Sequence, residues 1–280
     1  MSHDLKVLLD GLASEDPAVR DGWAYEELAE GIADGRFSSD LERIRATAVT
    51  RLRSTEIQAR AFAPLILTWL VDAGDRDRDA FDAVTSWYLA ETDTRGYDSH
   101  LGWLHAVAHG ADYLGTCVVS GIATGPEVLE ILARRIVTPG EAWRDQEDAR
   151  VALAAAHALS LCDQAQSTAW LALLDAALQT FEQSAAQREV GDRPPAWLHN
   201  LFSACATLYV VLAEQPRSGE ENLDVPHADV VRAGLAQVIA RMAPWLFAPA
   251  QGCGEAASQL YAAAGTGGEA DAHVERHASG

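Results

Sequence analysis

Apolar positions recur every three or four residues along most of the chain, interrupted by short polar breaks. Val19, Trp23, Leu28 and Ile32 make the first stripe, behind Ser14 as N-cap and Pro17 in the first turn, where a missing N–H costs nothing. Comparable stripes predict helices over 39–53, 55–73, 78–91, 101–120, 126–137, 144–162, 166–186, 194–214, 227–248 and 253–264. Turn chemistry separates them: Gly35, "AGDRDRD" (73–79), "ATGPE" (123–127), "TPGE" (138–141), "VGDRPP" (190–195) and "EQPRSGEENLDVP" (214–226). No segment alternates with period two over a strand's length, so the expected fold class is all-α.

A loose internal repeat refines this. "DPAVRDGWAYEELA" (16–29), "STEIQARAFAPLIL" (54–67) and "DQEDARVALAAAHAL" (145–159) share a polar or acidic cap, an arginine and an Ala-rich apolar run. Arg20 and Arg60 lie 40 residues apart, and Arg150 lies 90 beyond Arg60. A period near ~40 with paired helices is that of HEAT-like repeats. The expected architecture is a right-handed, HEAT-like α-α solenoid of antiparallel helix pairs with a concave face. It should form a single domain over 1–264, followed by a flexible tail over 265–280 that lacks an amphipathic pattern.

Composition narrows the function classes. The 280 residues carry 41 carboxylates against 21 Lys and Arg, a net charge of −20, which disfavours nucleic acid as a partner. The four cysteines (Cys117, Cys162, Cys205, Cys253) form no CxxC pair, and a reduced, buried thiol is the default for those in apolar runs. The N-terminal "MSHDLKVLLDGL" lacks the basic and apolar regions of a signal peptide. The longest apolar candidate, "RAFAPLILTWLV" (60–71), falls short of a span of ~18 residues, so no membrane partner is expected. These features point to a cytoplasmic protein.

Candidate chemistry concentrates in "GWLHAVAHGADYLG" (102–115). With His105 at zero on a helical wheel, His109 falls at about 40°, Asp112 near about −20° and Thr116 near about 20°. That polar stripe carries no Glu, Lys or Arg, and its Ala and Gly neighbours imply close packing or a ligand against the backbone. Three readings stand side by side. The first takes the histidines as buried and satisfied by neighbouring carbonyls or carboxylates. His105, His109 and Asp112 would also suit a two-His, one-carboxylate metal set, for zinc or iron. The HExxH arrangement is absent, since Ala106 follows His105. The third reading is a pocket for an organic ligand, with His105 or His109 as general acid/base, Asp112 as orienting group, Arg95 holding an anionic group and Trp103 covering it.

The preceding "ETDTRGYDSHLGW" (91–103) adds Glu91, Asp93, Arg95, Tyr97, Asp98 and His100. Gly96 permits a turn there, and the plain alternative is a polar loop that caps the next helix through Asp98 or Ser99. Further along, His199 after "RPPAW" could face the concave surface with Trp197 stacked nearby, and His157 fits a core histidine better than a ligand. Asp21 reads as a surface aspartate. His273 and His277 repeat the HxxxH spacing in the tail, without a scaffold. No GxSxG elbow, reactive-cysteine loop or glycine-rich phosphate loop is present.

"YLAETDTRGYDSHLGWLHAVAHGADYLG" (88–115) resembles the signature of a family of uncharacterised bacterial proteins, a domain of unknown function whose members read YLxxExDxRGY followed by GWxHAxAHxADxL. "VRDGWAYEELA" (19–29) and "RAFAPLIL" (60–67) are similar to that family's N-terminal helices, so the resemblance spans about 20–214. It implies a helical, HEAT-like fold and no particular activity. Where the family tends to have an Arg-Ser-Leu-Tyr run, this chain has "ACATLY" (204–209), implying a more apolar wall.

The function expected is small-molecule binding at a polar pocket on the concave face, around His105, His109, Asp112, Arg95, Tyr97, Trp103 and His199. The alternatives are a metal-dependent enzyme and a scaffold that holds a protein partner along the concave face.

Overall fold

The computed structural model describes residues 4–185, 193–214, 217–218 and 221–246. The expected helix over 253–264, the tail over 265–280, Cys253, His273 and His277 lie outside those residues. Within them the chain is mostly helical, as the periodicity predicts. A short α1 (Leu5–Gly11), not anticipated from the sequence, precedes α2 (Pro17–Val19), a π-helical turn (Arg20–Tyr25) and α3 (Glu26–Ala33). Asp16, not Ser14, caps α2: its carboxylate accepts the Ala18 N–H at 2.9 Å, while Ser14 Oγ accepts the N–H of Asp16. There follow α4 (Leu41–Arg51), α5 (Ile57–Asp72), α6 (Arg78–Ala90), α7 (Ala106–Val119), α8 (Gly125–Ile136), α9 (Glu147–Leu159), α10 (Gln164–Ala185), α11 (Ala196–Ala213) and α12 (Ala228–Met242).

Two small hairpins interrupt the helices. β1 (Tyr97–Asp98) pairs with β2 (Gly102–Trp103), and β3 (Arg217–Ser218) with β4 (Glu221–Asn222). The first corrects the helix expected over 101–120, which begins only at Ala106. Asp98 is the reason. Its Oδ1 accepts the N–H of His100 at 2.8 Å and of Leu101 at 3.0 Å, closing the loop instead of capping a helix. Gly102 then adopts φ +71°, and a side chain there would strike Pro17. A glycine in the left-handed region is the usual close of a three-residue hairpin loop.

The helices pack in sequence: α5 lies against α7, α7 against α9, α9 against α11, and α11 against α12. On the other side α4 packs on α5 and α6, and α8 on α6, α9 and α10. One hydrophobic core runs from Leu5 to Met242. α7, between α5 and α9, is buried on nearly every face, and small residues let it fit. A Cβ at Gly110 would overlap the Tyr88 ring, and one at Gly115 would sit 3.2 Å from His157 Nδ1.

α11 is long and apolar enough to cross a membrane by length and composition alone, contrary to the sequence expectation. It carries polar side chains that bond to neighbouring elements. Asn200 Oδ1 accepts the Trp143 N–H at 2.8 Å, its Nδ2 donates to Glu141 O, and Ser203 and Thr207 donate to Asp148.

Two of the three repeat arginines share a task, while Arg150 pairs with Asp112 instead. Arg20 Nη1 donates to Ser14 O at 3.2 Å and Arg60 Nη1 to Ser54 O at 2.8 Å, each reaching back six residues. Arg20 also donates to Leu101 O at 2.6 Å and Trp103 O at 3.2 Å, and pairs with Asp21 at 2.7 Å. The fully buried Arg20 thus satisfies carbonyls of the hairpin that no strand or helix serves. Arg20→Met should cost about 3 kcal/mol, because those carbonyls would be left unpaired. Urea denaturation checks this, and a midpoint equal to the native protein's would refute the clamp.

Candidate functional site

The N-terminal ends of α7 and α9 meet at His105 and Glu147. His105 caps α7 with φ 49° and ψ 36°, and Gln146 caps α9 with φ 68°. These are the positive-φ residues other than glycine among the described residues. Such backbone persists only where surrounding contacts hold it. The Leu104 and His105 N–H groups both donate to Gly96 O, at 2.8 and 3.2 Å. The His105 imidazole stacks on Trp103 with centroids 4.7 Å apart and planes 3° apart. His105 Nδ1 lies 3.1 Å from Glu147 Oε1. Glu147 is fully buried. Burial pushes its carboxyl up, but the bonds from His105 and from backbone N–H groups outweigh that and hold it below the ordinary value.

Gly96 has a different role from the turn expected of it. A Cβ there would overlap Glu147 Oε1 and the Asp145 side chain, so the position needs close approach, not a positive φ. The Asp145 carboxylate, beside Glu147 over Gly96, has no hydrogen-bond or ion-pair partner among the described residues.

His109 is buried behind His105, with ring centroids 5.7 Å apart. Its Nδ1 donates to Ala61 O at 2.9 Å. That carbonyl belongs to the turn of α5 that precedes Pro64, and the bond ties α7 to α5. The Phe62 ring packs edge-on against His109 at 5.3 Å. Burial lowers the His109 pKa to about 3, so the ring stays neutral with Nδ1 protonated. His109, expected as a catalytic histidine, is therefore first a structural donor.

Asp112 is engaged by Arg150 of α9 through a two-pronged pair, with Nε at 2.7 Å from Oδ1. Burial pushes the Asp112 carboxyl up, and the Arg150 pair pulls it part of the way back. The metal set of His105, His109 and Asp112 is not assembled. Among the described residues no three His, Cys, Asp or Glu side chains could hold an ion, since Asp112 is taken by Arg150 and His109 Nδ1 by Ala61.

Arg95 does not join the histidines as an anion clamp. Its Nε and Nη2 bind Asp93 at 2.9 and 2.7 Å, and its Nη1 binds Asp98. It braces the loop and spends its charge on two carboxylates. His199 is exposed on α11, and no bond or ring contact joins it to the cluster. Trp197 packs edge-on against Phe181 at 5.6 Å. Tyr97 and Trp103 do join the site, 5.0 Å apart and edge to face, each about half exposed (52% and 48%). The inward polar row expected of one helix is instead graded, from buried His109 through His105 to the exposed aromatics. A groove of about 630 Å³ lies elsewhere, lined by Leu52, Arg53, Arg60, Ala83, Trp87 and Glu91 among others.

A family model described as a protein of unknown function (DUF2785) matches residues 48–210. The chain belongs to that family. No curated protein and no solved structure matches it. The resemblance read in residues 88–115 is therefore to the right kind of family, an uncharacterised one. The DUF2785 segment contains His105, Glu147, Asp112, Arg150 and the Pro64 turn, while Arg20 and Pro17 lie before it.

Glu147, Asp145 and Pro64 escaped the sequence reading, and Arg150 and Arg20 were read only as repeat markers. A usable signal for Glu147 was its place in the capping stretch of the third repeat. Nothing local ties it to a histidine 42 residues earlier.

The neutral His109 has a pH consequence. Its folded pKa lies below the unfolded value of about 6.5, so on acidification the unfolded chain takes a proton that the folded chain refuses. The contribution to stability is full above about pH 6.5 and is lost progressively as pH falls toward 3. His109→Asn keeps a donor for Ala61 O and cannot titrate. Melting curves from pH 7 to 5 should show a steeper decline for the native protein, by up to about 1.4 kcal/mol per pH unit. Parallel declines would contradict this. Separately, Gly96→Ala should cost about 1–3 kcal/mol by overpacking against Glu147 and Asp145, measurable by the same melts.

Proposed function

We propose that this protein binds a small polar molecule at the meeting N-terminal ends of α7 and α9, and that His105 serves there as a general base. One observation carries the reading: a buried carboxylate, Glu147, holds Nδ1 of a histidine whose own backbone is kept in the left-handed region. A carboxylate on Nδ1 fixes that nitrogen as the donor, so the lone pair sits on Nε2. It also stabilises the imidazolium that forms once Nε2 has taken a proton, the role of the acid in a Ser-His-Asp triad. His105 keeps about a fifth of its side chain exposed (22%), so Nε2 has a route to solvent or ligand. No nucleophile stands beside it among the described hydrogen bonds, which favours proton abstraction from a bound molecule, or from water, over covalent catalysis.

For the wider architecture we infer HEAT-like stacking. The contacts of α5, α7, α9 and α11 would form one row, and α4, α6, α8 and α10 the other. Arg20 and Arg60, reaching back over equal distances from equivalent turns, support that repeat.

Thermal-shift screening of a metabolite collection tests the binding claim. At least one compound should raise the melting temperature saturably in the native protein. That shift should vanish in His105→Ala and weaken in Glu147→Gln, which preserves shape but not charge. If every responding compound stabilises His105→Ala equally, the site lies elsewhere.

A further inference from the structure

We infer that the group received beside His105 is a cation, an organic ammonium lodged between the Tyr97–Trp103 pair and the free carboxylate of Asp145. The inference rests on the binding site proposed above and names the class of its ligand.

The first observation is the aromatic pair. Tyr97 and Trp103 are large, half exposed and paired across the two short strands of the hairpin. Apolar packing does not require this, because the hairpin is already held by Arg20 and by the amides donating to Gly96 O. Trp103 is pinned in one orientation by the parallel His105 ring stacked on one of its faces and by the Tyr97 ring at 5.0 Å. A fixed, partly exposed indole is the best side-chain surface for a cation.

The second observation is the charge around it. An anion arriving here meets guanidinium groups that are already engaged. Arg95 is bracketed by Asp93 and Asp98, Arg150 is paired with Asp112, and Arg20 is buried on carbonyls and Asp21. The exposed Arg144, next to Asp145, is the nearby cation in sequence without an ion pair. Against it stand two carboxylates with no arginine partner among the described residues, Glu147 and Asp145, whose oxygens converge over Gly96. Glu147 is occupied by His105, so Asp145 is the one open to a ligand. The chain's net charge of −20 adds long-range attraction for cations and repulsion for anions.

Calorimetric titration of the full chain with three probes tests this. The probes are choline, its neutral isostere 3,3-dimethylbutan-1-ol, and acetate. Choline should bind saturably, with the isostere about fivefold weaker or more, since the two differ only in charge. Trp103→Leu and, independently, Asp145→Asn should each weaken choline by about three- to fivefold. Tyr97→Leu guards against a misfolded Trp103 variant and should weaken choline as well. Equal affinity for choline and the isostere would overturn the cationic class. Acetate binding that depends on Trp103 would overturn the class while leaving the site itself standing. Absence of binding by any probe, alongside a His105-dependent hit in the thermal-shift screen, would overturn the class alone. Absence of both removes the site as well.

Discussion

The guanidinium of Arg20 is the constraint on which the rest of the site depends. It has no exposure, and its donors go to Ser14 O, Leu101 O, Trp103 O and Asp21. Those carbonyls flank Gly102, where the chain reverses between the two short strands. Without a donor from the first helices the reversal would bury unpaired oxygens, and the hairpin would have no reason to stay formed. The same guanidinium lies 4.8 Å above the Phe62 ring, which in turn packs on His109. One buried charge thereby fixes both the loop that carries Trp103 and His105 and the wall behind the second histidine.

A second dependence runs through His109. It donates to Ala61 O and so ties α7 to α5, and burial commits it to a neutral ring. The pair of histidines is thus divided by environment. His109 is buried and bonded to the α5 backbone, whereas His105 keeps partial exposure and a carboxylate partner. Like residues four apart in sequence have unlike work because one faces the helix core and the other stands at a helix entrance.

The arginines of this acidic chain divide their donors between carbonyls and carboxylates. Arg135 donates to Tyr88 O and Glu91 O, while Arg20 and Arg60 serve carbonyls at their own turns and pair with Asp21 and Glu91 as well. Arginines nearer the surface are matched by carboxylates, as Arg95 is by Asp93 and Asp98 and Arg150 by Asp112. Glu147 and Asp145, neither paired with an arginine among the described residues, lie over Gly96 at the start of α9.

The all-α class and most of the helices were legible in the chain, because apolar spacing and turn residues act over a few neighbours. So was membership in an uncharacterised family. The His105–His109 spacing was read as one helical stripe, yet Asp98 and Gly102 had already turned the chain into a hairpin, so His105 stands at a helix cap. What each polar group does was settled only by tertiary contact. Arg95 went to its own loop, Asp112 to Arg150, and His105 to Glu147, 42 residues away. Local pattern determines which segments coil and which faces are apolar. The choice of partner for a buried charge is made by whichever opposite group the packed helices bring within about 3 Å, and no short window of sequence contains both.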